Sequence, residues 1–321
     1  MRRTLAVTSI LTALALTAGT PSLAQEKYPA PTVKLVTQSS PGGGGDVFLR
    51  EISTRIGKYI NANFVVENIV GGGGAKAMAY LAKSTPDGSV LYGTTPTFMI
   101  TSLISKPAVD YTMLQPVANL FLDPIILYVR KDSPFKTLPD VIAEAKKRPN
   151  AVRVAVGESA SLDPVVMEQV QEKTGTKLII ITHDGGGDTL LSVLNGTGEL
   201  GIGEVAELAG QIAAGEIRPI VAFTDARLPQ FPDIATGKEQ GVDLVVKKFR
   251  GLVGPKDISK DAIAAWEAAI PKLLEDTEFK KWYTEAALIP TFMKHEDYGK
   301  FLNAFAEEQR AFYIKNNIIK N

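Results

Sequence analysis

No cysteine occurs among the 321 residues, and histidine occurs only twice. The first absence removes disulfides, thiolate metal sites, a cysteine nucleophile and a lipid-modified N-terminal cysteine. The second leaves few ways to assemble a histidine-based triad or a metal centre. No charge of one sign dominates: lysine plus arginine and aspartate plus glutamate number 35 each. The chain therefore has no global field for a nucleic acid or an anionic membrane surface. Past the N-terminus there is no apolar run long enough to span a bilayer. The P-loop pattern G-x-x-x-x-G-K-[ST] is missing, and Gly42–Asp46 lacks the third glycine of the dinucleotide pattern at the right place. Neither a nucleotide cofactor nor a metal is expected.

The N-terminus opens Met1-Arg2-Arg3, continues through a mostly apolar stretch from Leu5 to Ala18, and reaches Ser22-Leu23-Ala24 before Gln25. That pattern reads as a cleavable secretory signal peptide over residues 1–24. Its apolar stretch is too short to span a bilayer, and the paired arginines lack the flanks of a twin-arginine signal. The expected location is the periplasm or the exterior. Roughly 297 residues remain, enough for two domains with a full core each.

Strand-like and helix-like runs alternate. Val33–Thr37 reads as a buried strand, and Phe48, Leu49, Ile52, Ile56 and Ile60 recur at helical spacing, with Glu51 and Arg55 paired four apart on the other face. Strands follow at 64–67, 89–92 and near 125–129, 152–156, 178–182 and 218–223, with helices near 138–148, 161–174, 187–195 and 205–214. The pattern is α/β, and parallel sheets covered by helices are expected. After the strand-like Phe249–Gly254 come a helix opened by Ser259 and a long final helix over about 296–315. A terminal helix of that kind must dock on something already formed. The predicted layout is one discontinuous domain, 25–124 with 249–321, and an inserted domain, 125–248. Chain crossings near 119–125 and 246–252 would then form a hinge.

Three glycine clusters, at 42–45, 71–74 and 185–187, each fall between a strand and a helix. Glycine lets several backbone N–H groups turn toward one anion without a Cβ in the way, at the point where a helix begins with unpaired donors. Asp46 falls where a helix N-cap is wanted. One anion gripped from both domains is the functional reading; flexible surface turns are the plain one.

The ordered set PGGGGDVFLR (41–50), VVENIVGGGGA (65–75), TPDGSVLYG (85–93), DSPFKTLPDVIAEAKKRPNAVRVAVGESAS (132–161), HDGGGDTLLSVLNGTGEL (183–200) and RPIVAFTDARLPQFPDIAT (218–236) resembles the Bug-type extracytoplasmic solute receptors of tripartite tricarboxylate transporters. The resemblance implies a two-lobed Venus-flytrap fold, a small organic carboxylate as ligand, membrane transporter subunits as partners, and a monomer without catalytic activity. Matched position by position, it implies ligand contacts from Ser40, Gly43, Gly44 and Asp46 in the first loop, and from Gly72, Gly73, Gly74 and Ala75 in the second. Thr95 and Thr97 match the stretch after the third strand. Glu158, Ser159, Ser161, His183 and Gly186 fall in the selecting loops of the middle domain, with Glu204 further along.

In the second loop Val70 and Ala75 stand where proline and asparagine are common, and the departures near the selecting end are acidic. Glu158 sits in a loop usually rich in glycine and serine, and His183-Asp184-Gly185 stands where Tyr-Lys-Gly is common. Glu158, Asp184, Asp188 and Glu204 either meet an ammonium, a chelated carboxylate or hydroxyl groups of the ligand, or they cap helices and point to water. A hydrolase would need Ser159 or Ser161 to work with His183 and Asp184, but the nucleophile elbow lacks its second glycine at Gly157–Ser161. A sensory ligand-binding subunit would use the same fold as a transport receptor.

Overall fold

The structure, a computed structural model, describes residues 28–320. The signal-peptide reading of residues 1–24 lies outside them. The chain begins β1 (Thr32–Thr37), α1 (Gly44–Ser53), β2 (Asn63–Asn68), α2 (Ala75–Ala82), β3 (Val90–Thr94), α3 (Pro96–Ser105) and β4 (Leu114–Leu122). It continues β5 (Ile125–Arg130), α4 (Leu138–Lys147), β6 (Arg153–Val156), α5 (Leu162–Thr174), β7 (Ile179–Thr182), α6 (Gly186–Leu194), β8 (Leu200–Glu204), α7 (Val205–Ala213) and β9 (Ile217–Ala222). The last elements are β10 (Phe249–Pro255), α8 (Lys260–Leu274), α9 (Thr277–Glu285), β11 (Ile289–Lys294) and α10 (His295–Lys315).

Two sheets result. One has strand order β11-β4-β10-β3-β1-β2, the other β7-β6-β8-β5-β9. The fold is α/β and two-lobed. The chain leaves the first sheet after Leu122, enters the second at Ile125, and is back in the first at Phe249.

Parallel sheets were the expectation, and here the structure differs. β1 runs parallel to β2 and β3, and β6 parallel to β7 and β8, but β10 is antiparallel to β3 and β4, and β5 antiparallel to β8 and β9. Connectivity explains it: parallel neighbours need a crossover that brings the chain back to the same end, whereas β5 follows β4 across two residues and β10 enters from the other lobe.

Local chemistry sets the element ends. α1 buries Phe48, Leu49 and Ile52, and a short 3-10 turn at Ile56–Lys58 replaces its expected continuation. Thr137 and Asp140 form a reciprocal capping box on α4, and Ser259 caps α8. β4, β8, β11, α3 and α9 escaped the sequence reading. α3 is buried from Pro96 through Leu103, so it carries no polar stripe from which a period can be read.

α10 is held by one stripe: Tyr298, Leu302, Phe305, Phe312 and Tyr313 are buried. Phe249 of β10 is its anchor, with ring centroids 6.0 Å from Tyr298, 5.6 Å from Phe301, 5.3 Å from Phe305 and 6.3 Å from Phe98 of α3. Lys315 at the helix end pairs with Glu172 of α5, so the helix that completes the first lobe also touches the second. Phe249→Ala should lower the unfolding free energy by about 3–5 kcal/mol, measured by equilibrium urea denaturation. A loss below about 1 kcal/mol would mean that the ring cluster does not hold α10 in place.

Candidate functional site

Between the sheets lies a cavity of about 520 Å³. Five helices begin at it. Their N-caps, Gly43 for α1, Thr95 for α3, Ser161 for α5, Gly185 for α6 and Glu204 for α7, all line the cavity. Each helix directly follows a strand, β1, β3, β6, β7 or β8, so the cavity sits where the carboxyl ends of parallel strands from both lobes meet. First-turn N–H groups and helix dipoles converge there, an arrangement that favours an anion.

The antiparallel strand supplies the cations. Because β10 runs against β3, with Gly251 opposite Thr94, its first residues arrive at the edge where β3 ends. Arg250 is thereby placed on the cavity floor, with Lys248 just before it. Arg250 donates from Nε to Asp123 Oδ2 at 2.8 Å, and its second terminal nitrogen lies 2.6 Å from the same oxygen. The Asp123 backbone N–H also donates to the Lys248 carbonyl at 2.7 Å. A single residue in one chain crossing thus binds the other crossing through both backbone and side chain. Lys248 forms an ion pair with Glu204. Burial pulls the Lys248 pKa down, with Asp163 acting the other way.

Further acids surround the cavity: Glu158, Asp163, Asp184, Asp188 and Glu207. Burial pushes the Glu158 carboxyl up, neighbouring Asp184 adds to the effect, and Lys248 opposes it. Asp163 accepts from the Gly157 N–H at 3.1 Å, while its Oδ1 is buried without a partner. Glu207 Oε1 accepts from the Gly44 N–H at 2.9 Å, across the two lobes. Burial raises the Glu207 pKa against the pull of Arg250. Among the described residues no three His, Asp or Glu side chains are grouped to hold a metal ion.

Of the residues matched in the sequence, Ser40, Gly43, Gly44, Thr95, Thr97, Glu158, Ser161, Gly186 and Glu204 line this cavity. Asp46, Gly72, Gly73, Gly74, Ala75, Ser159 and His183 are not among its lining. Asp46 is not the N-cap; Gly43 is, and Asp46 stands in the first turn of α1. Its carboxylate accepts from Gly42 N–H at 2.9 Å, from Arg50 Nε and from Asn68 Nδ2 at 2.8 Å, and so shapes the glycine turn from behind. Gly73 and Gly74 have positive φ, and a Cβ on them would collide with Thr101 Oγ1 and Gln38 Oε1 respectively. That turn packs on Gln38, which itself lines the cavity, and Gly73 also approaches Ala160 of the second lobe. His183 donates from its backbone to Val156, and its Nε2 is buried without a partner.

Gln38, Asp163, Glu207, Lys248 and Arg250 were not singled out from the sequence. One signal was present for Arg250: a charged residue inside the otherwise apolar run Phe249–Gly254. Buried charges are kept where they are paired or used. Glu207 lies in an ordinary first turn of α7 and carries no such mark.

A model of the family described as tripartite tricarboxylate transporter family receptor matches residues 48–318. Protein BugT of Bordetella pertussis is 26% identical over 281 residues, which cover 86% of this chain and 85% of BugT. Among solved structures, an R. palustris protein with adipate superposes with a TM-score of 0.84 at 23% identity, covering 89% of this chain and 97% of its own. MatC from Rhodopseudomonas palustris with bound malate gives 0.79 at 20% identity, covering 89% of this chain and 99% of MatC. These likenesses place the fold.

Two expectations concern the polar groups behind the cavity. Asp123→Ala removes the hydrogen-bonded partner of the buried Arg250 and should cost about 3–5 kcal/mol of stability. The Asp123→Ala/Arg250→Leu pair should recover part of that loss in a double-mutant cycle followed by urea denaturation; strict additivity would count against the ion pair. Asp46 gives a pH signature. Burial alone would raise its pKa, but Arg50, the Gly42 N–H and Asn68 together hold it below the ordinary value. A depressed carboxyl stabilises the fold fully above its unfolded pKa of about 3.9 and loses that contribution as pH falls through the folded value. Asp46→Asn should therefore be less stable than the parent at pH 7, by about 1–2 kcal/mol. The gap should narrow below about pH 4; a gap that persists there would assign the loss to geometry instead.

Proposed function

Since this chain belongs to the tripartite tricarboxylate transporter receptor family, we propose that it captures a small organic carboxylate in the cleft and presents it to the membrane subunits of such a transporter. The observation that carries the proposal is the convergence of five helix N-termini from both lobes on one cavity. Neutral donors held at fixed positions bind an anion without importing a counter-charge that must itself be desolvated. Adipate and malate in two proteins of the same fold support the chemical class.

In this reading residues 25–124 and 249–321 make one domain, residues 125–248 the other, and the crossings at Asp123 and Lys248 are the hinge. The solute's carboxylate takes the Gly44 N–H at the start of α1, beside Ser40, Gly43, Thr95 and Thr97, in a turn closed by the Gly43 N–H donating to the Ser40 carbonyl at 3.0 Å. Ser161, Gly186 and the acids Glu158 and Glu204 complete the shell from the second lobe and select the remainder of the solute. Asp46 and the turn of Gly72, Gly73, Gly74 and Ala75 shape the first lobe's half, with Ser159 and His183 doing the same in the second. Closure over the solute excludes water, so solute and closed state stabilise each other. The chain acts as a receptor without catalysis, in the periplasm after loss of residues 1–24, and the energy for transport comes from its membrane partner.

The test is a thermal-shift screen of the purified chain against organic acids, sugars and nucleotides. A carboxylate at one hundred times its dissociation constant should add about 2.7 kcal/mol of stability, and small carboxylates should be the class that does so. A screen in which neutral sugars alone stabilised the protein would sink the proposal.

A further inference from the structure

The anion position of the cleft already meets a carboxylate that belongs to the chain itself. Glu207 rises from the first turn of α7 in the second lobe and reaches Gly44, the first residue of α1 in the other lobe. Its Oε1 accepts the Gly44 N–H at 2.9 Å. Its Oε2 lies so close to Gly186, at the start of α6, that a Cβ there would overlap it. A Cβ on Gly44 would stand 2.6 Å from both Glu207 Oε1 and a terminal nitrogen of Arg250. One side-chain carboxylate therefore bridges two glycine turns, one from each lobe, in the field of a buried guanidinium. These are the partners a solute carboxylate would be offered.

We propose that Glu207 is a built-in competitor of the solute, which holds the α1 N-terminus until a solute carboxylate displaces it and thereby sets which solutes bind. The inference rests on the carboxylate reading of the cleft. Physical consequences follow from the geometry. The Gly44 N–H has one hydrogen and serves one acceptor, so Glu207 and a solute carboxylate exclude each other there. An intramolecular acceptor competes at an effective concentration in the millimolar range or above, so weak anions lose to it. Displacing Glu207 also leaves two carboxylates in a cavity that already holds Glu158, Asp163 and Asp184. A solute bringing its own ammonium can pair with the displaced Glu207, and one carrying only carboxylates cannot. Glu207 thus discriminates against plain dicarboxylates. The same contact joins the lobes directly, close to Arg250 and the chain crossings, so releasing it frees one lobe to move against the other.

Calorimetric titration of the full chain with succinate and with aspartate, for the parent, Glu207→Gln and Glu207→Ala, tests the proposal. Glu207→Ala removes the competitor and should bind succinate at least about tenfold more tightly than the parent. The gain for aspartate should be several-fold smaller, and Glu207→Gln, which keeps an acceptor but no charge, should fall between. Equal or weaker succinate binding by Glu207→Ala, when the parent binds succinate, overturns the competitor and leaves the carboxylate reading standing. If neither acid binds any of the three proteins, small-angle scattering still decides the contact: Glu207→Ala in solute-free buffer should have a larger radius of gyration than the parent. An unchanged radius would overturn the inter-lobe contact as well.

Discussion

Asp123 and its hold on the returning chain govern the geometry of this molecule. The residue lies in the two-residue step between β4 and β5, accepts from Arg250 at the start of β10, and donates its backbone N–H to Lys248. Both crossings are thereby fixed against each other at one point. A buried ion pair adds little net stability, because desolvating two charges offsets most of their attraction. Its effect is positional: a guanidinium that must stay beside Asp123 cannot slide along the strand, so the register of β10 against β3 and β4 is set where the lobes join. From that register follows the placement of Lys248 and Arg250 at the cavity.

The cavity's electrostatics depend on the same join. Helix N-termini from both lobes make the region attractive to anions, and the carboxylates around it make the region costly for a second one. Arg250 is paired with Asp123 and Lys248 with Glu204, and their pull on Glu207 and Glu158 is outweighed by the burial of those acids. Under the proposed function, such a site takes one negative charge on backbone donors and penalises surplus charge nearby. Selectivity in such a site comes from repulsion as much as from attraction.

Packing explains why the two lobes keep their relation when one is sewn from both ends of the chain. α10 buries its aromatic stripe on Phe249, in the strand that carries Arg250 one residue later, and its last turn reaches Glu172 of α5. Core residues of α10 and of α5 belong to one apolar cluster, Phe305 and Leu302 with Val165 and Val166 among them. The C-terminal helix therefore packs against elements of both lobes.

Sequence by itself determined the alternation of strand and helix, the glycine turns and the family resemblance. Each of these is local or nearly so: apolar period, turn chemistry and ordered motifs survive in a one-dimensional reading. Several cavity residues were legible for that reason, as with Ser40, Gly43 and Gly44 ahead of α1 and Ser161 at the start of α5. Tertiary structure alone decided that β5 and β10 run against their neighbours, because strand direction within a sheet depends on which strands meet. It also decided that the turn of Gly72, Gly73 and Gly74 packs on Gln38 and Thr101 of its own lobe and on Ala160 of the other. Glu207 and Gly44 are 163 positions apart in the chain, and no period or motif links a first-turn glutamate to a glycine turn at that distance. Only the docking of one lobe on the other places a carboxylate against a helix N-terminus, and that juxtaposition is where the chemistry of the cleft is set.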